Sequence, residues 1–510
     1  MAGIWRVKSV EQSIAETDEP GHRLKRTLRA WDLVVFGVGV IIGTGIFVLT
    51  GQQAATNAGP AVVLSFLLAG ITCGLAALCY AELASSVPVA GSAYTFSYAT
   101  LGELVAWIIG WDLLLELMLG AAVVARGWSA YLASLFDLPP WLAGDTARPD
   151  FAAIAIVLVL ALLLIRGSKT SSRFTGVLVV IKVAVVLFVI GLGAMHIDAA
   201  NYSPFVPPAQ APEGAAGSVL HQPIVQAFLG LEPTHFGAFG VVAAASVVFF
   251  AYIGFDIVAT TAEETQNPQR DMPRGILGSL AICTVLYMAV SFVLTGMVPY
   301  GDLNTGAPLA EAFEAVGITW AARLIALGAV AGITSVILVL MLGQTRVLFA
   351  MSRDHLLPPS LARVHPRFGT PWLITVVVAG AVAILAGLVP LSALSELVSI
   401  GTLFAFVVVC LGVLVLRRTR PDLPRAFRTP GAPVVPILGV VACGWLMINL
   451  PLETWLRFVA WMIVGLVIYV LYGRRNSRLG KRLAGAAATP GQRGAADGDA
   501  GAVGIERPSS

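Results

Sequence analysis

The sequence predicts an all-α polytopic membrane protein with twelve transmembrane helices, and three observations predict it. Of the 510 residues, 57% are apolar and only 12% are charged, whereas a water-soluble chain carries about 25% charged residues. Apolar stretches recur from Trp31 to Tyr472, most of them near the ~20 residues that a bilayer crossing needs. Lysine and arginine collect in alternate loops, as they do when successive spans reverse direction.

The spans read as 31–56, 60–86, 102–133, 150–166, 172–196, 238–263, 273–298, 315–350, 372–389, 393–416, 434–451 and 455–473. The third and eighth exceed one crossing, so they are expected to tilt or to project into the cytoplasm. Arg6, Lys8, Arg23, Lys25, Arg26 and Arg29 precede the first span, and Arg270 with Arg274, Arg353 with Arg363 and Arg367, and Arg417 to Arg428 lie in even-numbered gaps. The opposite side holds Arg148 and Arg457, and its Pro-rich loop 197–237 has neither Lys nor Arg. Both termini are therefore expected to be cytoplasmic, with the plasma membrane as the location. The expected organisation is a cytoplasmic segment 1–30, a twelve-helix membrane domain 31–473, and a cytoplasmic tail 474–510. The Gly-, Ala- and Pro-rich end of that tail is expected to be disordered. Residues 1–30 hold no apolar core of leader length, so the first span is expected to direct insertion itself. The loop 87–100 reads as a short turn and an interfacial helix. Five cysteines all fall in apolar stretches without metal-ligand spacing and read as small buried residues.

Two spans carry an interruption. Gly43-Thr44-Gly45 lies in the middle of span one, ~18 Å along a helix from Trp31. Two glycines flanking a threonine favour local unwinding, although small residues also serve close helix packing. Span six carries Ile253-Gly254-Phe255-Asp256 at similar depth. Spans one and six are corresponding members of two five-helix units, and interruptions at corresponding positions point to a midplane binding site. Breaking a helix bares amide N–H groups at the start of its second half and carbonyls at the end of its first. The former attract a carboxylate and the latter an ammonium, so two such breaks suit a zwitterion.

At these residues the chain resembles the amino acid–polyamine–organocation superfamily, and within it the cationic amino acid transporter family of permeases. The resemblance runs from Leu28 to about Tyr472. It rests on Gly39 to Gly51 (GVIIGTGIFVLTG), Gly110 to Glu116 (GWDLLLE), Phe249 to Pro268 (FFAYIGFDIVATTAEETQNP) with Arg270-Asp271-Met272-Pro273 just beyond, and Gly343 to Asp354 (GQTRVLFAMSRD). It implies two inverted five-helix repeats with helices 1 and 6 broken, two extra helices, and alternating access around a central amino-acid site. The substrate carboxylate then maps to Thr44, Gly45 and Ile46 beside Gly43, and the ammonium to carbonyls near Ile41, Phe250, Ala251 and Ile253. Side-chain choice is expected around Phe250, Phe255 and Ile333, where no acidic pair favours strictly cationic substrates.

Ionisable residues inside spans are costly and usually functional. Lys182, one of five lysines, lies ten residues past Ser172 in span five, ~15 Å deep. A structural role, by pairing or snorkelling, is one reading. The other is proton coupling: the resemblance implies an ammonium standing where related carriers hold sodium, with Gly37, Gly39 or Val40 carbonyls and the hydroxyls of Thr334 or Ser335 as partners. Asp112 and Glu116, four apart, share a face of span three. Glu116 either exchanges a proton with the site or neutralises Lys182. Asp256 reads as a cap for the restarted half of span six, or as a contact for a cationic side chain.

The leading expectation is a proton-coupled secondary transporter of L-amino acids; an amino acid or polyamine exchanger is the alternative. The expected partners are the substrate, protons and the lipid bilayer, with no cofactor, metal or nucleic acid. There is no GxxxxGK[ST] loop for ATP and no HExxH-type constellation for an enzyme.

Overall fold

A computed structural model describes residues 6–8, 26–87, 89, 92–144, 146–167, 171–211, 219–231 and 234–481. The tail beyond residue 481 and most of segment 1–30 lie outside the described residues. Among those described the chain is helical, without a β-strand. Among the described residues, eight helical runs are long and apolar enough to cross a membrane, and four shorter apolar helices accompany them.

The main helices are α1 (Ala30–Ile41), α2 (Val62–Ser86), α3 (Ser92–Thr100), α4 (Glu103–Phe136), α5 (Phe151–Arg166), α6 (Ser171–Gly193), α7 (Gly237–Val248), α8 (Phe255–Val258), α9 (Pro268–Met297), α10 (Thr319–Arg353), α11 (Trp372–Leu388), α12 (Leu391–Thr419), α13 (Val434–Ile448) and α14 (Leu452–Ile468). Local chemistry starts several of them. Asp32 accepts from the Arg29 amide (2.9 Å) at the head of α1, and Asp150 accepts from the Ala153 amide (2.9 Å) at the head of α5. The third and eighth spans are single helices of 34 and 35 residues, each about 50 Å long at the helical rise.

The helices pack as two groups. In one, α9 lies along both α1 and α2, and α7 lies against α2; in the other, α10 packs on α4, with α5 and α11 alongside. α6 touches α1, α9 and α10, so it bridges the groups, and α12 runs between α2 and α4. Apolar side chains that remain exposed, such as Leu158, Leu162, Val180, Ile282, Val285 and Leu471, lie on the outer helices, where a bilayer solvates them. The five cysteines are free and buried. α3 departs from the interfacial helix expected there. It is buried almost throughout, with Tyr94 donating to Asp354 (2.7 Å) and Ser92 to the Asp256 carbonyl (3.2 Å), because its hydroxyls answer polar groups at one end of the bundle.

Candidate functional site

The chain breaks at both glycine-bearing interruptions. α1 stops at Ile41, Ile42 turns extended (φ −70°, ψ 101°), and a wide helical turn restarts at Gly45–Leu49. The Ile46 and Phe47 amides return to the Gly43 carbonyl at 3.2 and 3.4 Å. Among the described residues, the amides of Gly43, Thr44 and Gly45 donate to no backbone carbonyl outside a helix. In the sixth span α7 tightens into a 3₁₀ turn, Phe249–Tyr252, and Gly254 takes φ +126°, a conformation that demands glycine, before α8 begins. The N-cap of α8 is Gly254 and not Asp256; Asp256 stands in the first turn, and its carboxylate accepts from the Gly254 amide at 3.1 Å.

The two breaks face each other. A Cβ on Gly45 would lie 2.4 Å from the Ala251 Cα, and one on Gly254 would lie 2.7 Å from Val40 Cγ1 and 3.2 Å from the Ile41 amide nitrogen. Only backbone fits at either crossing. A cavity of about 20 Å³ lies beside them, room for roughly one water. Of the residues expected to bind substrate, Ile41, Gly43, Thr44, Gly45, Phe250, Ala251 and Ile253 line it, together with Val40, Gly120, Val124, Val336 and Leu340.

Ile46, Phe255 and Ile333 do not line it. All three are buried in packing, Phe255 against the rings of Tyr80 and Phe406 at centroid distances of 5.7 and 5.0 Å. On α10 the cavity is lined by residues beyond Ile333. Val336 and Leu340 lie three and seven residues beyond Ile333 on the same face, a spacing that was visible. Gly120 and Val124 of α4 were missed for lack of any polar signal.

Tyr287 on α9 was also missed. Its hydroxyl lies 2.7 Å from the Ile41 carbonyl oxygen and 2.9 Å from that of Ala251, so one donor spans the carbonyl ends of both breaks. The Phe250 carbonyl accepts from the Ile253 amide at 3.1 Å. Thr44 donates weakly to the Val124 carbonyl (3.4 Å), and its methyl and hydroxyl occupy the space left by Gly127, where a Cβ would lie 2.4 Å away.

Lys182 on α6 is fully buried, and its ammonium donates to the Gly39 carbonyl, the Ile42 carbonyl (3.1 Å) and the Ser335 hydroxyl (3.1 Å). Three donors meet three acceptors. Its stem runs past Gly332, where a Cβ would lie 2.7 Å from the lysine Cβ. Gly39 and Ser335 are thus among the expected partners, and Ile42 is an additional one. Three expected partners are not. Thr334 donates to the Val330 carbonyl (2.7 Å) and accepts from Trp128 (2.9 Å), because it faces α4 instead of α6. Gly37 packs against Ser279 of α9, and Val40 faces the cavity and Gly254.

Glu116 does not neutralise Lys182: among the described residues the two form no ion pair. Glu116 is buried, with Thr402 of α12 and Asp256 as neighbours. Asp112 lies beside Gly401, where a Cβ would come 2.9 Å from its carboxylate oxygen.

Tyr131 of α4 donates to the Phe47 carbonyl at 2.7 Å beyond the first break, and Arg346 of α10 pairs with Glu264 at 3.6 Å beyond the second.

Apolar membrane-length helices, two opposed helix breaks and a small cavity between two helix groups define a multi-pass membrane protein of the permease class. A family model for amino acid permeases matches residues 28–472, and the chain belongs to that family. It is 45% identical over 495 residues to the methylthioribose transporter of Bacillus subtilis, covering 94% of this chain and all of that protein. It is also 45% identical over 490 residues to the branched-chain amino acid permease BcaP of the same organism, covering 93% and 99%. With cationic amino acid transporter 1 of Arabidopsis thaliana it shares 40% identity over 405 residues, 78% of this chain and 64% of that one.

Proposed function

We propose that the protein is a secondary active transporter that takes up L-amino acids with protons by alternating access. It does so with twelve spans in two inverted five-helix repeats plus two helices, in the plasma membrane and with both termini cytoplasmic. The single observation that carries the substrate reading is the pair of opposed breaks. One presents amides at Gly43, Thr44 and Gly45 that, among the described residues, donate to no backbone carbonyl outside a helix, and the other brings the carbonyls of Ile41 and Ala251 together under one hydroxyl. An α-carboxylate suits the first and an ammonium the second. The cavity is far below the ~300 Å³ at which ligand pockets begin, so the helix groups must separate to admit substrate, and α6 and α12 are the hinging elements.

The cavity wall, with Val40, Ile41, Val124, Phe250, Val336 and Leu340, is largely apolar and holds no carboxylate. That supports a neutral, branched aliphatic side chain such as leucine, isoleucine or valine, in keeping with the likeness to the branched-chain amino acid permease BcaP. A second reading, methylthioribose, follows from the relative of that name. It is weaker on chemistry, because that sugar has neither ammonium nor carboxylate to answer the two backbone poles.

Proton coupling is assigned to Lys182, with Glu116 as the next candidate. A protonated Lys182 ties α1 to α6 and α10; releasing the proton removes a donor and loosens that tie.

The test is uptake of radiolabelled L-leucine into proteoliposomes with and without an inward proton gradient, with unlabelled competitors. Leucine amide and N-acetyl-leucine should compete poorly; equal competition by both would remove the zwitterion assignment. Strong competition by methylthioribose alone would favour the second reading. Counterflow without any gradient, at the full rate, would favour the exchanger.

A further inference from the structure

We infer that the groove between the N-terminal end of α9 and the segment joining α12 to α13 binds an anionic phospholipid. Its phosphate would sit on Arg270 and Arg274, with an acyl chain laid down the outer face of α9. The groove, of about 510 Å³, is lined on one side by Arg270, Pro273, Arg274 and Leu277, and on the other by Ala426 and Phe427.

Arg270 and Arg274 are one helical turn apart and share a face. Both are exposed, and among the described residues neither side chain makes an ion pair or a hydrogen bond. The acids nearby are already engaged or turned away. Glu264 pairs with Arg346 (3.6 Å), Asp422 pairs with Arg420 (3.5 Å), and Asp271 is buried on the inner face of α9. Among the described residues, the groove mouth therefore carries positive charge that no protein group answers. A phosphodiester accepts from two guanidinium groups at once, which a single surface arginine does not offer.

The apolar continuation separates a lipid site from a simple anion site. Beyond Arg274 the half-buried Leu277 and Gly278 lead to Ala281, Ile282 and Val285, all exposed. The spacing is that of one helical stripe, and it extends ~16 Å from the arginine. That is the path an acyl chain takes from a headgroup held at the membrane surface.

The opposite wall is built in advance. Buried Glu82 of α2 accepts from Arg417 (2.9 and 2.6 Å) and from the Thr429 amide (2.8 Å), and Arg425 lies 3.4 Å away. These bonds hold residues 425–429 in place, and with them Phe427. Assigning the lipid to the inner leaflet rests on the proposed orientation; binding itself does not.

Native mass spectrometry of the purified full-length protein tests this without reference to transport or orientation. Phosphatidylglycerol should be retained in preference to phosphatidylcholine. Arg270→Ala/Arg274→Ala should weaken its retention about thirtyfold, the effect of two arginines near an anionic headgroup. Arg363→Ala/Arg367→Ala, in a different loop, should leave it unchanged. Phe427→Ala, which keeps both charges, should also weaken it. Retention of phosphatidylglycerol by the double arginine variant at the wild-type level overturns the inference. So does displacement of the lipid by millimolar inorganic phosphate, which would make the groove a soluble-anion site.

Discussion

The two helix breaks differ in what they leave unsatisfied. At the second, Asp256 accepts from the Gly254 amide within its own span, and the Ile253 amide closes on the Phe250 carbonyl. At the first, Gly43, Thr44 and Gly45 have no such side-chain acceptor among the described residues, while the Gly39 and Ile42 carbonyls are held by Lys182 on another helix. The second break is shaped locally, by a glycine with φ +126° and a neighbouring carboxylate. The first is completed from outside, by an ammonium on one side and, in the proposed cycle, by substrate carboxylate on the other. A break that finishes its own hydrogen bonds behaves as a rigid wall. One that depends on other elements changes state when those elements do.

The largest expected effect removes the outside partner. Lys182→Ala leaves two buried carbonyls without a donor, at about 1–3 kcal/mol each. Proteoliposomes carrying it should lose gradient-driven accumulation of leucine while some binding persists. Lys182→Arg should fail to couple as well, since guanidinium keeps its proton. Accumulation by the alanine variant equal to wild type would move the coupling role to Glu116.

Next come the crossings where only backbone fits. Gly254→Ala forces a left-handed φ on a residue with a side chain and pushes it into Val40. It should cost about 1–3 kcal/mol, read as a lower melting temperature in detergent, with uptake lost. Gly45→Ala should behave likewise, because its Cβ meets the Ala251 backbone. Gly43→Ala is the contrast, since its Cβ would sit 3.4 Å from Val336. The protein should keep its melting temperature while leucine affinity falls as the cavity fills. Equal destabilisation at Gly43 and Gly45 would mean that the first break is a packing surface only.

Asp256→Ala should cost about 1 kcal/mol, the net value of the lost hydrogen bond from the Gly254 amide, and Asp256→Asn distinctly less, because its amide oxygen still accepts. If asparagine abolishes uptake at an unchanged melting temperature, the carboxylate charge acts in transport, and the second break is more than a wall.

The smallest effect belongs to Tyr287→Phe. It frees the Ile41 and Ala251 carbonyls from a competing donor and should tighten leucine binding by less than about tenfold, the range of one exchanged hydrogen bond. Calorimetry on the purified protein reads this directly. Weaker binding would show that the hydroxyl, and not the carbonyl pair, meets the substrate.

Much of this architecture was legible in the sequence because its causes are local. Hydrophobic length gives the spans, since lipid leaves no other way to satisfy a backbone, and glycine at Gly43, Gly45 and Gly254 marks where a helix can open. A lone Lys182 in an apolar run signals a site because its burial is costly. What stayed hidden were partners set by how one helix rotates against another. Thr334 and Ser335 are adjacent in sequence, yet they face α4 and α6 respectively, and nothing in their identity says which turns inward. The same rotation puts Val336 and Leu340, and not Ile333, on the cavity, and separates Glu116 from Lys182. Tyr287 joins two carbonyls that belong to spans one and six, a coincidence of three helices that no single segment encodes. The sequence by itself determined the membrane class, the two points of rupture and the lysine inside an apolar span, because each follows from the solvation of a single segment. The tertiary structure alone decided which groups complete those ruptures, because a hydrogen bond between distant segments depends on position to within a few tenths of an ångström.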